Sequence, residues 1–281
     1  MSRDRPALSL GPAILFCPGD RPDRFGKALA AADAVILDLE DAVSPARKGE
    51  AREAVCDALR HLPVDRVAVR INSPRDEAGQ RDLAMLAGTQ LRFLLVPKVE
   101  SAAEAALAPF SVIALCETAC GVQQADDIAR VPGCCALMWG GEDLTADIGG
   151  RQSRGRDGAY LSHVQYARAR ILVAAAAAAV AAWDGVWLDI PDLAGLEREC
   201  HDAAAMGFAA KVAIHPTHAP VIRQAYRPSP ERVDWARRLL GAMGEAESGV
   251  MQSGVISFEG RMVDGPLVAM ARTIVAAASH P

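Results

Sequence analysis

Short apolar runs alternate with longer amphipathic stretches along most of this chain. Eight such runs, each short enough to be one strand, occupy residues 13–17, 34–39, 67–71, 93–96, 112–116, 136–139, 185–190 and 208–214. Each run is nearly continuous in apolar residues, as in strands buried on both faces of a parallel sheet. The segments between them are long enough to hold a crossover helix, so the pattern predicts eight consecutive βα units.

Eight βα units in 281 residues fit a closed (β/α)₈ barrel with an appendage, because that fold typically takes about 250 residues. An open Rossmann-like sheet is the alternative, but its G-x-G-x-x-G fingerprint is absent after the first run. We therefore predict an α/β protein with a TIM barrel over residues 1–228 and a C-terminal extension over residues 229–281.

The extension is predicted to be a helix, a mobile segment and a final helix. Pro228-Ser229-Pro230 indicates the start of a helix at 230–243. A Gly-, Ser- and Glu-rich segment at 244–254 precedes a short strand at 255–259 and a last helix at 266–278. Such an extension could cover the barrel mouth, on its own subunit or on a neighbour, or close the bottom of the barrel.

Composition and charge narrow the class of partner. The chain has 30 Lys and Arg against 35 Asp and Glu, whereas nucleic acids and anionic membranes favour clustered basic residues. The N-terminus lacks the pattern of a secretory signal, and the alanine-rich stretch at 171–183, interpreted as a buried barrel helix, is too short to span a bilayer. We expect a cytoplasmic protein that binds neither nucleic acid nor membrane.

The seven cysteines are an odd number, and several fall in or beside predicted strands. Their spacing does not match the ligand frameworks of structural zinc sites. Reduced thiols are the expected state.

Charged side chains gather directly after the predicted strands, where barrels of this kind build their active sites. In chain order they are Asp38, Glu40, Asp41, Arg70, Lys98, Glu100, Glu117, Glu142, Asp143 and His215. Any single acid is also compatible with a helix cap. Together the acids would repel one another without a cation, and carboxylates from different strands predict a site for Mg²⁺, with Mn²⁺ as the alternative.

Two basic features suggest how an anionic substrate would be held. The guanidinium of Arg70 could bind a carboxylate through two hydrogen bonds and stabilise an enolate oxygen. An interior salt bridge to Asp38 or Glu40 is the other interpretation of Arg70. After the first strand, Gly19, Arg24 and Lys27 lie at a predicted helix N-terminus, which can bind a phosphate-bearing cofactor or present an ordinary solvated face.

Several stretches, in this order, resemble one known family. They are LFCPGDRPDRF (15–25), AVILDLEDAV (34–43), VRIN (69–72), VPKVES (96–101), CETACGV (116–122), WGGEDLTADIG (139–149), AAKVAIHP (209–216) and GRMVDGP (260–266). On these residues the chain resembles the HpcH/HpaI aldolase and citrate lyase superfamily, in its citrate lyase beta-subunit-like and malyl-CoA lyase branch.

The resemblance implies a Mg²⁺-dependent carbon–carbon lyase acting on a CoA thioester such as malyl-CoA, citramalyl-CoA or citryl-CoA. Its metal ligands match Glu117 and Asp143, and its substrate-binding arginine matches Arg70. The acidic motif of Asp38, Glu40 and Asp41 corresponds to residues near the metal.

The resemblance also implies oligomers and a contribution from the C-terminal segment. Asp264 matches an aspartate that acts as acid or base in the site of a neighbouring subunit, within a homotrimer or hexamer. Asp264-Gly265-Pro266 is equally typical of a helix cap. Gly11-Pro12 replaces the Arg-Ser pair that the family often has before the first strand, which leaves the CoA contacts less defined than the metal site.

The expected reaction is a retro-Claisen cleavage that gives a 2-keto acid and a thioester enolate. A metal-dependent pyruvate-type aldolase without a CoA substrate is the main alternative, and an acyl-carrier protein could replace CoA. Phosphoryl transfer is disfavoured because a Walker loop and a phosphohistidine domain are absent from the sequence. A non-catalytic scaffold is disfavoured by the clustered acids.

Overall fold

Eight parallel strands close into a barrel in the computed structural model, which describes residues 10–248 and 255–278. The strands are β1 (Ala13–Pro18), β2 (Ala34–Asp38), β3 (Val67–Arg70), β4 (Phe93–Val96), β5 (Ser111–Cys116), β6 (Cys134–Trp139), β7 (Ala181–Asp184) and β8 (Ala210–Ala213). Each strand pairs with the next, and β8 pairs with β1 to close the ring. The predicted TIM barrel is confirmed.

Helices follow the strands along the chain. They are α1 (Pro22–Ala31), α2 (Lys48–Ala58), α3 (Glu77–Leu86), α4 (Ala102–Ala105), α5 (Ala119–Gln123), α6 (Ala125–Ala129), α7 (Gly141–Asp147), α8 (Ser162–Ala178), α9 (Leu193–Met206) and α10 (His218–Tyr226). The buried face of α1 is apolar and contains Phe25, Ala28 and Leu29. No helix of the described residues is long and apolar enough to cross a membrane.

Alternate strand positions fill the barrel interior with apolar side chains. The interior cluster includes Ile14, Ala34, Ile36, Ala68, Phe93, Leu95, Ile113, Leu115, Ala136, Met138, Trp183 and Val212. Successive side chains of a strand point to opposite faces, so residues two positions after each of these point inward as well. This periodicity decides which polar residues reach the mouth at the C-terminal ends of the strands.

The seventh strand is the one strand whose predicted position is wrong. It is Ala181–Asp184, whereas residues 185–190 lie in the loop that follows. The helix predicted to run through 171–183 ends at Ala178, because Ala179 adopts a left-handed conformation with φ of 59°. Helices usually end this way at glycine, so an alanine here gives no stop signal in the sequence.

The chain forms two compact units that divide between Arg223 and Gln224. The second unit contains α11 (Pro230–Ser248), β9 (Ile256–Phe258), β10 (Arg261–Val263) and α12 (Gly265–Ala278). β9 and β10 form a hairpin whose turn residues, Glu259 and Gly260, both have positive φ, as this tight turn requires.

Helices α11 and α12 and the hairpin pack around a small apolar core that contains Leu239, Val263 and Val268. The segment predicted to be mobile from residue 244 instead continues α11 to Ser248. The rest of that predicted segment, 249–254, lies outside the described residues.

Candidate active site

On three strands, the row of side chains that points into the barrel ends in a charged residue at the mouth. Asp38 ends β2, Arg70 ends β3, and Glu117 directly follows β5. Asp38 and Arg70 are also paired in register across the two strands. The strand period therefore brings together residues that are far apart in the chain.

Asp38 and Arg70 form a buried pair with two parallel hydrogen bonds. Arg70 Nε and Nη2 donate to the two carboxylate oxygens at 2.7 and 2.6 Å. Asp38 also accepts backbone N–H bonds from Glu40 and Ala42 at 2.9 and 3.0 Å. The bidentate contact leaves Nη1 of the guanidinium turned toward other groups, and the ring of Phe16 lies 4.7 Å from the guanidinium carbon.

Glu40 and Lys98 form the next pair across the mouth. Lys98 Nζ donates to Glu40 Oε1 at 2.7 Å, and Arg70 Nη1 lies 3.0 Å from Glu40 Oε2. Burial raises the pKa of Glu40 even though both cations lower it. Burial alone would lower the pKa of Lys98, but its hydrogen bond to Glu40 and the charge of that carboxylate raise it, so Lys98 stays protonated.

Lys98 also contacts the residues predicted to bind a metal. Its Nζ lies 3.5 Å from Asp143 Oδ1, and its backbone N–H donates to Glu117 Oε1 at 3.2 Å. The backbone of Lys98 has a φ of 51°, which is uncommon for a residue with a side chain. The strained backbone aims this N–H at Glu117.

Glu117 is 3% exposed, whereas the side chain of Asp143 at the start of α7 is 40% exposed. Burial raises the pKa of Glu117 well above its ordinary value, and the negative charges of Asp143 and Glu40 raise it further. A bound cation would relieve this destabilisation of the ionised Glu117 carboxylate.

The donor set fits a hard divalent cation. Within the described residues no group of three or more His, Cys, Asp or Glu is arranged to hold a metal. Mg²⁺ needs only one or two protein carboxylates, because it keeps several waters and binds substrate oxygens. Glu117 and Asp143 supply that number from neighbouring strand ends, without the nitrogen or sulfur ligands that zinc favours.

Gly140 provides the space in which Glu117 sits. A Cβ added at Gly140 would lie 2.6 Å from Glu117 Oε2 and 3.1 Å from its Cβ. Its backbone, with φ of −130° and ψ of 121°, would otherwise accept alanine. The glycine is therefore required by the close approach of the carboxylate.

Gly140→Ala is expected to displace Glu117 and weaken Mg²⁺ binding by about 10- to 100-fold, the effect typical of disturbing the orientation of a metal ligand. Calorimetric titration with Mg²⁺ measures this change. Gly26→Ala in α1 is the matched control, because a Cβ there meets no atom within 4 Å. Equal Mg²⁺ affinity in the two variants would contradict the predicted role of Glu117.

Apolar side chains and one tyrosine complete the wall of the mouth. The cavity beside Arg70 and Glu117 is lined by Phe16, Leu115, Met138, Trp139, Tyr160, Val186 and Leu188, together with Gly140, Gly141, Glu142, Asp143 and Gly185. Phe16 and Tyr160 are not among the charged residues predicted at the strand ends. Phe16 could have been found as the inward residue two positions after Ile14, whereas Tyr160 comes from a loop with no periodic signal.

The predicted anion site at the first helix is less enclosed. Gly19 is buried and its N–H donates to the Asp38 carbonyl at 2.8 Å, where a side chain would collide with that oxygen. Arg24 and Lys27 lie on the exposed side of α1. Their role in binding a cofactor stays a prediction.

Asp264 lies in the second unit, directly before α12. Its backbone carbonyl accepts the first helical hydrogen bond, from the Val268 N–H at 3.2 Å, so the residue occupies the cap position of that helix. Its predicted role in proton transfer stays a prediction.

Comparison with known proteins gives a consistent result. Residues 13–216 match the family described as HpcH/HpaI aldolase/citrate lyase. A citrate lyase subunit beta-like protein of Mycobacterium tuberculosis (strain CDC 1551 / Oshkosh) is 49% identical over 268 residues, which cover 94% of each chain. The mitochondrial citramalyl-CoA lyase of Homo sapiens is 31% identical, with 95% of this chain and 85% of that protein covered.

A solved structure is similar over nearly the whole fold. The crystal structure of protein CitE from Mycobacterium tuberculosis, in complex with magnesium, acetoacetate and coenzyme A, matches with a TM-score of 0.90 and 48% sequence identity. The match covers 97% of this chain and 100% of that one.

Proposed function

Because the chain belongs to the HpcH/HpaI aldolase/citrate lyase family of carbon–carbon lyases, we propose that it cleaves or forms a 3-hydroxyacyl-CoA thioester in a Mg²⁺-dependent reaction. The family predicted from the sequence is confirmed by the match over residues 13–216. The substrates we propose are malyl-CoA, citramalyl-CoA or citryl-CoA, which yield a 2-keto acid and an acyl-CoA. The observation that carries the proposal is the buried Glu117 beside Asp143, facing the Arg70 guanidinium across one mouth.

In this proposal Glu117 and Asp143 hold the Mg²⁺. The metal, when bound, supplies Lewis-acid polarisation of the substrate oxygens. Support for this choice comes from the oxygen-only donor pair and from the relative that was crystallised with magnesium, acetoacetate and coenzyme A. Lys98 holds Glu117 in place through its backbone N–H and stays charged beside Asp143.

Arg70 holds the reacting end of the substrate. Asp38 fixes the guanidinium through Nε and Nη2, so Arg70 is oriented before substrate arrives. The cation can then bind the substrate carboxylate or stabilise the enolate that develops on the thioester oxygen. Glu40 and Asp38 act on the reaction by orienting Arg70 and Lys98.

In the cleavage direction a base removes the proton of the 3-hydroxyl group. The bond between the α-carbon of the thioester and the hydroxyl-bearing carbon then breaks, and its electron pair forms the thioester enolate, which is protonated at the α-carbon to give the acyl-CoA. The hydroxyl carbon becomes the carbonyl of the 2-keto acid. We assign proton transfer to Asp264, supplied by a neighbouring subunit of a homotrimer or hexamer.

Asp264→Asn is expected to lower turnover by about 10²- to 10⁴-fold, the usual contribution of a general acid or base. Asparagine caps a helix about as well as aspartate, so the stability of α12 is retained. Turnover and Mg²⁺ affinity measured on the same preparation test this, and Mg²⁺ affinity should be unchanged.

The helix-cap alternative makes the opposite prediction. If Asp264 only caps α12, Asp264→Asn stays active and Asp264→Ala loses about 1 kcal/mol of stability. Mixing Asp264→Asn with Glu117→Gln tests the neighbouring-subunit arrangement, because mixed oligomers would contain some intact sites and regain activity. No recovery in confirmed mixed oligomers would place Asp264 in its own subunit's site or outside the reaction.

For the CoA moiety we propose the N-terminus of α1, with Arg24 and Lys27, while Gly19, whose N–H is bonded to the Asp38 carbonyl, shapes the turn before the helix. Arg24 and Lys27 are exposed cations near the mouth-side end of β1, and backbone N–H groups at a helix N-terminus attract phosphate oxygens. An acyl-carrier protein is the other thioester carrier that this exposed site could accept.

Calorimetric titration tests the function directly. The protein is titrated with Mg²⁺, then with acetyl-CoA, propionyl-CoA and free CoA, with and without pyruvate or glyoxylate. Binding of a CoA species that tightens with Mg²⁺ and keto acid supports the thioester lyase. Keto-acid binding that needs Mg²⁺ but does not respond to any CoA species would overturn it in favour of a pyruvate-type aldolase.

A further inference from the structure

A fully buried lysine lies outside the site described above. Lys211 of β8 is 0% exposed. Its Nζ donates to Asp184 Oδ2 at 2.9 Å, to the Gly185 carbonyl at 2.8 Å and to Glu199 Oε1 at 2.9 Å. Three good acceptors account for all three N–H bonds of the ammonium, which is what a buried charge requires.

This cluster sits between the barrel and its helices. Lys211 and Asp184 are paired in register on β8 and β7. Both alternate with interior residues, Val212 and Trp183, so they point outward, away from the mouth cavity. Arg168 of α8 closes the cluster with two hydrogen bonds to Asp184, at 2.9 and 3.0 Å.

Asp184 and Lys211 favour each other's charged form. Burial alone would raise the pKa of Asp184, but the Lys211 ammonium and the Arg168 guanidinium outweigh it and lower the pKa. Burial likewise would lower the pKa of Lys211, and the two carboxylates raise it. An apolar packing of the same volume is often at least as stable as such a buried ion group, so packing alone does not explain its presence.

A second branch of the cluster reaches the mouth through Glu199. Arg154 Nη2 donates to Glu199 Oε2 at 2.6 Å, and the Tyr160 hydroxyl donates to Glu199 Oε1 at 3.1 Å. Both donors come from the loop between α7 and α8, residues 148–161, where they pair as an isolated antiparallel bridge. Glu199 therefore connects the buried lysine to this loop, because it accepts hydrogen bonds from both.

The loop presents Tyr160 to the cavity that holds Arg70, Glu117 and Asp143. The Tyr160 ring lies under the Arg154 guanidinium, 3.6 Å from its carbon, and packs edge-on against Trp139 at 5.3 Å. Trp139 Nε1 in turn donates to Asp184 Oδ1 at 3.0 Å. Both aromatic walls on this side of the mouth are therefore tied to the same cluster.

We propose that Glu199, held by Lys211, is a positioning residue that fixes the 148–161 loop and Tyr160 as one wall of the substrate site. The proposal rests on the proposed function, because the wall matters only if the mouth binds a keto acid. Glu199 touches no reacting atom. It acts through the Tyr160 hydroxyl and the Arg154 guanidinium.

The test compares Glu199→Gln with Glu197→Gln on the same helix. Glu199→Gln keeps the shape of the side chain but removes the charge that faces Lys211 and Arg154. Glu197 is exposed, and its ion pair with His201 is long, at 4.0 Å. Hydrogen exchange of the metal-free, ligand-free protein is measured by mass spectrometry on peptides covering 148–161 and on peptides from β1 to β3. Condensation kinetics with Mg²⁺ give KM for the keto acid, kcat and Mg²⁺ affinity.

Glu199→Gln is expected to raise exchange in the loop about tenfold or more, since a charge-assisted hydrogen bond is worth at least that factor. KM should rise by a similar factor, with Mg²⁺ affinity unchanged and β1–β3 exchange unaffected. Tyr160→Phe, which removes only the hydroxyl link, should raise loop exchange less. Exchange that stays as in Glu197→Gln, or that rises equally in β1–β3, would overturn the proposal.

Hydrogen exchange and keto-acid binding distinguish failure of the positioning role from failure of the proposed function. If the wild-type protein binds no keto acid, the proposed function fails, while the exchange comparison still decides whether Glu199 anchors the loop. If keto acid binds but Glu199→Gln leaves KM unchanged, the wall has no part in substrate binding and the positioning role is rejected.

Discussion

Glu117→Gln is expected to lower Mg²⁺-dependent turnover by at least about 100-fold while leaving the barrel folded, since even residues that only orient metal ligands cost about 10- to 100-fold in metal affinity. Glutamine keeps the volume of Glu117 and can still accept the Lys98 N–H bond. It removes the charge that a cation requires. Turnover against Mg²⁺ concentration measures the loss.

The raised pKa of Glu117 gives this variant a pH signature. In the metal-free protein the protonated form is favoured by burial and by the Asp143 charge. The raised pKa of Glu117 stabilises the folded protein. This stabilisation is complete below the ordinary pKa of a glutamate and is lost as the pH rises through the raised folded-state pKa. The free energy of unfolding should therefore fall with rising pH across that window, with a slope of up to about 1.4 kcal/mol per pH unit.

Mg²⁺ affinity should rise over the same window, because binding displaces the Glu117 proton. Titrations in buffers of different ionisation enthalpy measure that proton release, and urea unfolding at several pH values measures stability. Both effects should vanish in Glu117→Gln. Glu104→Gln is the control, since the Glu104 carboxylate accepts hydrogen bonds from Ser101 Oγ and from the Glu100 N–H, which follow the neighbouring strand. Loss of the pH signature in Glu104→Gln would argue against Glu117 as its source.

The barrel and most of its mouth could be predicted from the sequence because eight continuous apolar runs indicate the strands, and the residues that follow each run lie at the mouth. Once β2 and β5 are placed, the positions after their apolar residues must point to the mouth. Asp38 and Glu117 were identified in this way. The choice between a substrate-binding and a salt-bridging Arg70 could not be made, because it depends on side-chain geometry between strands.

The cluster around Lys211 was missed for a different reason. The alanine-rich end of α8 carries no glycine or proline, so the seventh strand is predicted to begin after Asp184, whereas it ends at Asp184. With the strand misplaced, Asp184 had no assigned face and Lys211 had no partner. The left-handed conformation of Ala179 ends α8 and lets the seventh strand begin at Ala181. That conformation depends on packing within the barrel, which local helix propensity does not describe.

The geometry of Lys98 shows the same limit on a smaller scale. The sequence placed this residue after the fourth strand, among the charged groups of the mouth. Its positive φ and the resulting N–H bond to Glu117 arise only when β4 and β5 are side by side. Strained backbone of this kind is found where a site demands a particular direction from a main-chain group.

Arg70→Lys is expected to lower kcat/KM by about 10²- to 10³-fold, the range found when one donor to a developing oxyanion is removed. Lysine keeps the positive charge but cannot make the two parallel hydrogen bonds to Asp38 and still present a donor to substrate. Arg52→Lys is the matched control, because Arg52 forms a similarly buried pair with Asp82 between α2 and α3. Comparable losses of stability in the two variants, with activity lost only in Arg70→Lys, would show that Arg70 binds the substrate. Equal activity in the two variants would show that Arg70 serves only as a salt bridge to Asp38.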